Sequence, residues 1–472
     1  MEDITEKQNT TVDQSQISLN RVVGVFTAIL MVSGNMIGTG VFKKLVPMSQ
    51  TGMSESSILL AWVVAGIIVI LGAFTFAGLS KLTTESGGAY EYLRVSFGGF
   101  PAFLMGWGLF MIMGSGSVAA VAFVFSQSVN SLIAIPDPLH QWSHISIANY
   151  IYPFESSGIK IFAVITVVVL SWFNYRGIKN SALLNNIVTG AKILGILFLI
   201  LGGLILAVPS HNSTAAVQTA TEGTSSALMV FMAAMLSAFW AYDGFTNVTA
   251  IAGEIKDPKR NIPIAIITAV TSVMVLYVLL NYAFMRVMPL HELVTLGENQ
   301  IVATEVAGKL TGNTGSMAIS LLIMLSSFGT LNIIILFYSR VYFRMAQEGA
   351  FFKSAAKIHP QYRTPYNALW YSMIWSSILI LTGTFDILTN LVIFTGFAFY
   401  ILQSFGLIKL KKKKVITEKV SGYPVAPILF IIFTGIFLTG VFIDNPVQSI
   451  TGIGLIMTGV PFYFYFKNKY RK

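Results

Sequence analysis

Met31-Val-Ser-Gly34-Asn-Met-Ile-Gly38-Thr-Gly40-Val-Phe42 sets three glycines within seven residues, in the middle of an apolar run extending over roughly 22–50. Glycine inside a helix costs about 1 kcal/mol relative to alanine, so this cluster weakens the helix locally. A second apolar run, over roughly 226–255, has its own oddity: Ser237-Ala-Phe-Trp240-Ala-Tyr-Asp243-Gly244-Phe245-Thr-Asn247 puts an acid beside a glycine in mid-run. An acid at that depth is expensive unless something uses it. Close helix packing is another reading of the first stretch, because Gly34 and Gly38 form a GxxxG pair. A phosphate-binding loop is not, since the Gly-Lys-Ser/Thr ending and the preceding strand are missing.

Outward from these two stretches the chain is apolar almost throughout. Of its 472 residues, 54% are hydrophobic and 11% charged, a balance that a domain with a water-facing surface could hardly show. The spacing predicts twelve membrane spans near 22–50, 57–80, 100–131, 159–175, 182–208, 226–255, 262–288, 315–346, 367–383, 386–409, 424–443 and 449–467. Residues 1–20 are polar and lack an apolar signal region, which predicts an uncleaved N-terminus. With both termini cytoplasmic, 24 of the 30 basic residues fall on the cytoplasmic side and five outside: Lys43, Lys44, Lys160, Arg286 and Lys309. That asymmetry is the positive-inside bias, and it accounts for the net charge of +10. The charge therefore implies membrane lipids as partners and makes no case for nucleic acid. Lys411 to Lys414 read as a lipid-facing anchor beside a span end.

Other function classes find little support. Without cysteine there is no disulfide, thiolate metal site or cysteine nucleophile. The five histidines, His140, His144, His211, His291 and His359, fall in predicted loops without a metal-ligand pattern, so neither a metal nor a cofactor is expected. An enzyme would need clustered catalytic groups, yet the acid and base placed in mid-span, Asp243 and Lys192, sit on different helices with no nucleophile motif. No catalytic residue is expected. A channel would show a filter loop or a ring of charges.

Two broken helices suit a carrier. Transporters commonly consist of two related halves whose corresponding helices are interrupted around a midplane site. Spans one and six correspond if the repeat is five helices long. An open helix N-terminus offers unpaired N–H groups and a positive dipole end to a carboxylate; the open C-terminus of the preceding half offers carbonyls to an ammonium. An α-amino acid satisfies both.

Further motifs follow in order: Phe239-Trp-Ala-Tyr-Asp-Gly-Phe245, then Gly253-Glu-Ile-Lys-Asp-Pro258, Asn261-Ile-Pro263, Ser327-Phe-Gly-Thr-Leu-Asn332, Ser339-Arg340, Gly349-Ala-Phe, His359-Pro360 and Thr364-Pro365. With Gly34–Phe42 they make a chain that resembles the amino acid, polyamine and organocation transporter superfamily, and within it the L-type amino acid transporters and their bacterial relatives. The resemblance implies an all-α integral membrane fold of twelve transmembrane helices: two inverted five-helix repeats, LeuT-like, with helices 1 and 6 broken, plus two C-terminal helices. Residues 1–20 would be a cytoplasmic tail, 21–410 the transport core, 411–423 a basic cytoplasmic loop and 424–472 the last two helices and tail. It further implies that Thr39 and Gly40 present N–H groups, and Thr39 its hydroxyl, to the substrate carboxylate. Carbonyls of Met36 and of Trp240 to Asp243 would receive the ammonium, and Trp240 would be the aromatic gate. Ile37, Gly244 and Phe245 complete the expected substrate site; many members carry tryptophan where this chain has Phe245. Animal members use a cysteine to link a glycoprotein, which this chain lacks, so no disulfide-linked heavy chain is expected.

Lys192 lies mid-span in Thr189-Gly-Ala-Lys-Ile-Leu-Gly195, where a lysine costs ~2.5–3.5 kcal/mol on insertion scales. It can snorkel to an interface. The resemblance instead puts it where sodium-coupled relatives bind a cation, bonded to carbonyls near Gly34 to Ile37 and to a span-eight hydroxyl from Ser326, Ser327 or Thr330. Asp243 is either a structural acid held by N–H groups of the break or a selector of cationic side chains. The implied function is sodium-independent exchange or facilitated transport of small neutral L-amino acids by alternating access in a bacterial inner membrane. The competing expectation is proton-coupled symport of cationic amino acids or polyamines, with Lys192 exchanging protons. The charge asymmetry yields a direct test: a reporter fused after Lys472 should be active only in the cytoplasm, and activity only outside would overturn the twelve-span topology.

Overall fold

Apolar residues in lipid must close their backbone hydrogen bonds within each segment, and the computed structural model accordingly consists of helices, with no strand among the described residues. It describes residues 21–84, 87–146, 153–206, 227–297 and 300–470. The N-terminal tail, His211, the end of the fifth expected span, the start of the sixth, Arg471 and Lys472 lie outside the described residues.

The chain runs through α1 (Val25–Met36), α2 (Gly40–Lys43), α3 (Leu45–Ser49), α4 (Glu55–Leu79), α5 (Gly88–Phe97), α6 (Gly99–Gly108), α7 (Gly114–Leu132), α8 (Ser157–Tyr175), α9 (Ile178–Ile205) and α10 (Ala227–Tyr242). It continues through α11 (Pro258–Val287), α12 (Leu290–Leu293), α13 (Val302–Thr311), α14 (Asn313–Gln347), α15 (Tyr366–Thr382), α16 (Phe385–Lys412), α17 (Val425–Asp444), α18 (Pro446–Met457) and α19 (Gly459–Tyr470). Eleven helical segments among the described residues are long and apolar enough to cross a membrane. The remaining expected span is α15, 17 residues long, packed against α7, α8 and α14. Two stretches that read as loops contain helices: α5 precedes the third span, and α12 and α13 fold within 289–314. These short helices pack apolar side chains such as Leu93, Leu293 and Val306 onto the bundle, which a search for long apolar runs passes over.

Local chemistry explains several ends and bends. Ser54 caps α4 by accepting from the Ser57 N–H, and Thr384 caps α16 in the same way through Ile387. Between α6 and α7 a π-helical turn at Leu109–Met113 widens the helix and releases carbonyls. The Tyr342 hydroxyl donates to Leu109 O at 3.1 Å, beside the Gly114 N–H, and the Trp375 indole N–H to Met111 O at 2.9 Å, so side chains of α14 and α15 brace the turn.

The end that carries most of the basic residues is tied by ion pairs. Arg94 bonds both Glu91 carboxylate oxygens, and Arg344 reaches Glu91 and Glu348. Burial pushes the Glu91 carboxyl up, but the two guanidiniums outweigh it and hold Glu91 below its ordinary value. Deeper in, Arg340 Nε lies 3.2 Å from Glu254 Oε1, both side chains 2% exposed. Breaking such a pair from one side leaves a buried charge and costs about 3–5 kcal/mol. Arg340→Met should therefore cut the yield of folded protein and lower its melting temperature in detergent, and Arg340→Met with Glu254→Met should recover most of both. A double variant no better than the single one would show that the pair does not hold this junction.

Candidate functional site

The helix that begins at Val25 stops where the glycines are densest. Ile37 leaves helical geometry with ψ 69°, its N–H still bonded to Ser33 O, and Gly38 N–H turns back to Met36 O at 2.7 Å. The chain re-enters a helix at Gly40 with Thr39 as N-cap. In the sixth span, α10 ends at Tyr242, Asp243 to Thr246 form a turn with Gly244 at φ +92°, and a 3-10 segment runs over Asn247–Glu254. The positive φ at Gly244 explains its glycine, because a Cβ there would also meet the Asn35 amide at 2.1 Å.

The two breaks are bonded to one another. Asn35 Nδ2 donates to Gly244 O at 2.8 Å, and the Tyr277 hydroxyl of α11 lies 2.7 Å from Met36 O and 3.2 Å from Ala241 O. Between them is a cleft of about 40 Å³, room for a few waters, lined by Met36, Thr39, Gly40, Trp240, Asp243 and Gly244 among others. Six of the eight residues expected at the substrate site thus come together. The other two do not line it. Ile37 is buried with its carbonyl toward Ser326 Oγ, and Phe245 packs edge-on against Phe76 and Tyr400 at 5.7 Å each, because the turn at Gly244 carries it into the neighbouring helices. Asn35, Ser117, Asn247 and Tyr338 also line the cleft. Sequence reading missed them as site residues. Asn35 lay inside the quoted glycine stretch and Ser117 follows a Gly-Ser-Gly run, the only signals available.

Polar atoms in the cleft divide into occupied and open. Asp243 Oδ1 accepts from the Tyr400 hydroxyl at 2.9 Å, so its carboxylate already has a donor on α16. Thr39 Oγ1 and Asn35 Oδ1 are buried with no partner, although a buried hydroxyl without one costs about 1–3 kcal/mol. Thr39 also sits at a helix start, where N–H groups lack partners within the helix. The cleft thus pairs free donors on one wall with break carbonyls on the other. Trp240 lines the cleft and meets Phe385 edge-on at 6.0 Å. A second space of about 40 Å³ shares Asp243, Asn247 and Tyr338 and continues toward Ala89 and Ala250, near the ion-paired end.

Lys192 reaches the first break from α9. Its Nζ donates to Gly34 O at 2.8 Å and to Thr330 Oγ1 at 2.7 Å, with the side chain 1% exposed. Snorkelling to an interface is thereby ruled out. Of the three hydroxyls considered, Thr330 meets the ammonium, Ser326 faces Ile37 O at 3.5 Å, and Ser327 bonds back to Ile323 O in its own helix.

Residues 23–466 match the family model described as amino acid permease. The chain is 29% identical to the serine/threonine exchanger SteT of Bacillus subtilis (strain 168), covering 96% of this chain and 98% of that one. It is 28% identical to the human large neutral amino acids transporter small subunit 2, over 95% of this chain and 81% of that one. With the mouse b(0,+)-type amino acid transporter 1 it shares 27%, over 98% and 91% respectively.

The breaks approach so closely that a methyl group at Gly40 would lie 2.6 Å from Ala241 Cα. Gly40→Ala should therefore push the two segments apart, at about 1–3 kcal/mol, and abolish substrate binding in a thermal-shift assay. Gly435→Ala, where nothing lies within 4 Å, should leave binding intact. Full binding in Gly40→Ala would show that the contact is not required.

Proposed function

The chain belongs to the amino acid permease family, and on that premise we propose that it exchanges small neutral amino acids across a bacterial inner membrane by alternating access, without sodium. The observation that carries this reading is the cleft between the two breaks, which the orphaned Thr39 hydroxyl and the start of α2 line together with Met36, Trp240 and Asp243. A zwitterion supplies the missing acceptor and donor together: its carboxylate takes the Thr39 hydroxyl with the N–H groups of Thr39 and Gly40, and its ammonium takes carbonyls of Met36 and of Trp240 to Asp243. The small cleft favours small side chains, in keeping with the serine and threonine named for one relative. Trp240 covers the ligand, and its release opens the outer path.

Lys192 stands in for a bound cation. Its ammonium has the oxygen neighbours, Gly34 O and Thr330 Oγ1, that would otherwise hold one, and it braces the first break from behind. In this reading α1 to α9 and α10 to α16 are inverted five-helix repeats making up a core over 21–410, α15 is the ninth of twelve spans, α17 to α19 supply the last two, and both termini are cytoplasmic. Asp243, bonded to Tyr400, serves the helix break. Proton-coupled symport of cationic amino acids is the competing outcome.

The test is counter-exchange in proteoliposomes. Preloaded serine should accelerate uptake of labelled serine, replacement of sodium by choline should leave the rate unchanged, and Lys192→Ala should cripple it while the protein still inserts. Thr39→Val keeps the shape but removes one hydrogen bond to a charged group, worth about 1.5–3 kcal/mol, so affinity should fall roughly 10- to 100-fold. Absence of serine exchange, or a strict sodium requirement, would overturn the reading.

A further inference from the structure

Beside the ion-paired end lies a cavity of about 570 Å³, far larger than the cleft between the two breaks. Small-molecule sites run to about 300–1,000 Å³, so it has room for a sizeable polar group. Its walls are α5, the start of α6, the turn after α14 and the last helix, α19. Three apolar segments end at it: Gly99–Leu132 begins there, and Asn313–Gln347 and Pro446–Lys469 finish there. The cavity therefore sits where hydrocarbon gives way to headgroups. Next to it α19 exposes Phe462, Phe464 and Tyr465, the ring type that collects at a membrane–water boundary.

Its wall carries hydrogen-bond donors without acceptors. Tyr90 is 2% exposed and lines the cavity, yet its hydroxyl bonds to no other described residue, although a buried hydroxyl is normally paired. Arg94 spends Nε and Nη2 on Glu91, at 2.9 and 2.6 Å, while its Nη1 stands 3.6 Å from Glu348, beyond hydrogen-bond reach. Lys467 Nζ lies 5.7 Å from the centroid of the Tyr463 ring and makes no ion pair with a described residue. The acids nearby are already engaged: Glu91 by Arg94 and Arg344, and Glu348 by Arg344 at 3.1 Å. Gly98 opens α6 without a capping side chain, and Gly98 and Gly99 both line the cavity, so a helix start adds its unpaired N–H groups.

A phenol, a guanidinium edge and an ammonium around one space suit a group with several anionic oxygens, and phosphate is the one that a membrane surface supplies. We propose that this cavity seats the phosphate of an anionic phospholipid from the leaflet at the basic end, with Tyr90, Arg94 and Lys467 as its donors. The position at three span ends favours a lipid over a free anion, because the acyl chains then continue along the exposed rings of α19. Bound there, the headgroup ties α19 to α5, elements whose neighbours otherwise meet it through rings such as Phe103 against Tyr463 and Phe352 against Phe466. A lipid in this place is independent of the solute that the cleft carries.

The experiment follows heat stability of the purified full chain in detergent as phosphatidylglycerol, phosphatidylcholine of the same chain length, or glycerol 3-phosphate is added. For the native protein phosphatidylglycerol should act at concentrations at least about fivefold below phosphatidylcholine, the factor expected for one basic residue at an anionic surface. Equal potency overturns the proposal. Lys467→Gln should bring the two lipids to nearly equal potency, and Lys467→Arg should keep the native ratio. Tyr90→Phe should weaken both lipids about tenfold, since both carry the phosphate. Lys469→Gln removes the same charge from the same helix without touching the cavity wall, so it should behave as the native protein. Each variant without lipid is its own baseline, which separates lost binding from a lower melting temperature. A native lipid response in the double variant Lys467→Gln with Tyr90→Phe, or an equal loss in Lys469→Gln, would overturn the site. If glycerol 3-phosphate stabilises at the same concentrations as phosphatidylglycerol, the occupant is a soluble phosphate and the lipid assignment falls.

Discussion

Backbone N–H and C=O groups at bilayer depth have no water to turn to, and two helices here break at that depth. The structure answers by letting the breaks satisfy each other: Asn35 donates to the carbonyl of Gly244, and Tyr277 from α11 serves carbonyls on both sides. Lys192 and Thr330 take up the carbonyl of Gly34, three residues before Ile37 leaves helical geometry. The packing of α9, α11 and α14 around α1 follows from this requirement, because each carries one of the side chains that close the account.

Interior charges are handled in two different ways. Arg340 and Glu254 neutralise one another, so the pair can be exchanged for apolar residues of similar size with little net cost. Lys192 meets oxygens that carry no formal charge. On the reading proposed above, it stands beside the first break in place of an ion, on a covalent tether.

Much of this was legible in the sequence because the decisive signals are local. Three glycines in seven residues and an acid beside a glycine announce breaks without any knowledge of neighbours, and the apolar runs announce spans. Lys192 was legible for the same reason, and its partners were narrowed to a few groups of which Gly34 and Thr330 are the ones it meets. Contacts between distant segments were not legible. Nothing near Phe245 in sequence says that Phe76 and Tyr400 enclose it, and nothing near Asn35 says that Gly244 lies opposite. The short helices α5, α12 and α13 were hidden because a few buried side chains suffice to hold ten residues or fewer against a preformed bundle.

The Tyr277 hydroxyl has one proton and two carbonyls within reach, Met36 O at 2.7 Å and Ala241 O at 3.2 Å. It can donate to one at a time. Met36 O keeps the Gly38 N–H as a donor in either case, and a small rotation of the phenolic O–H moves the shared proton between the first broken helix and the sixth. On the reading proposed above, a ligand ammonium that took one of these carbonyls would turn that proton to the other, so both broken helices would respond to it through the same hydroxyl.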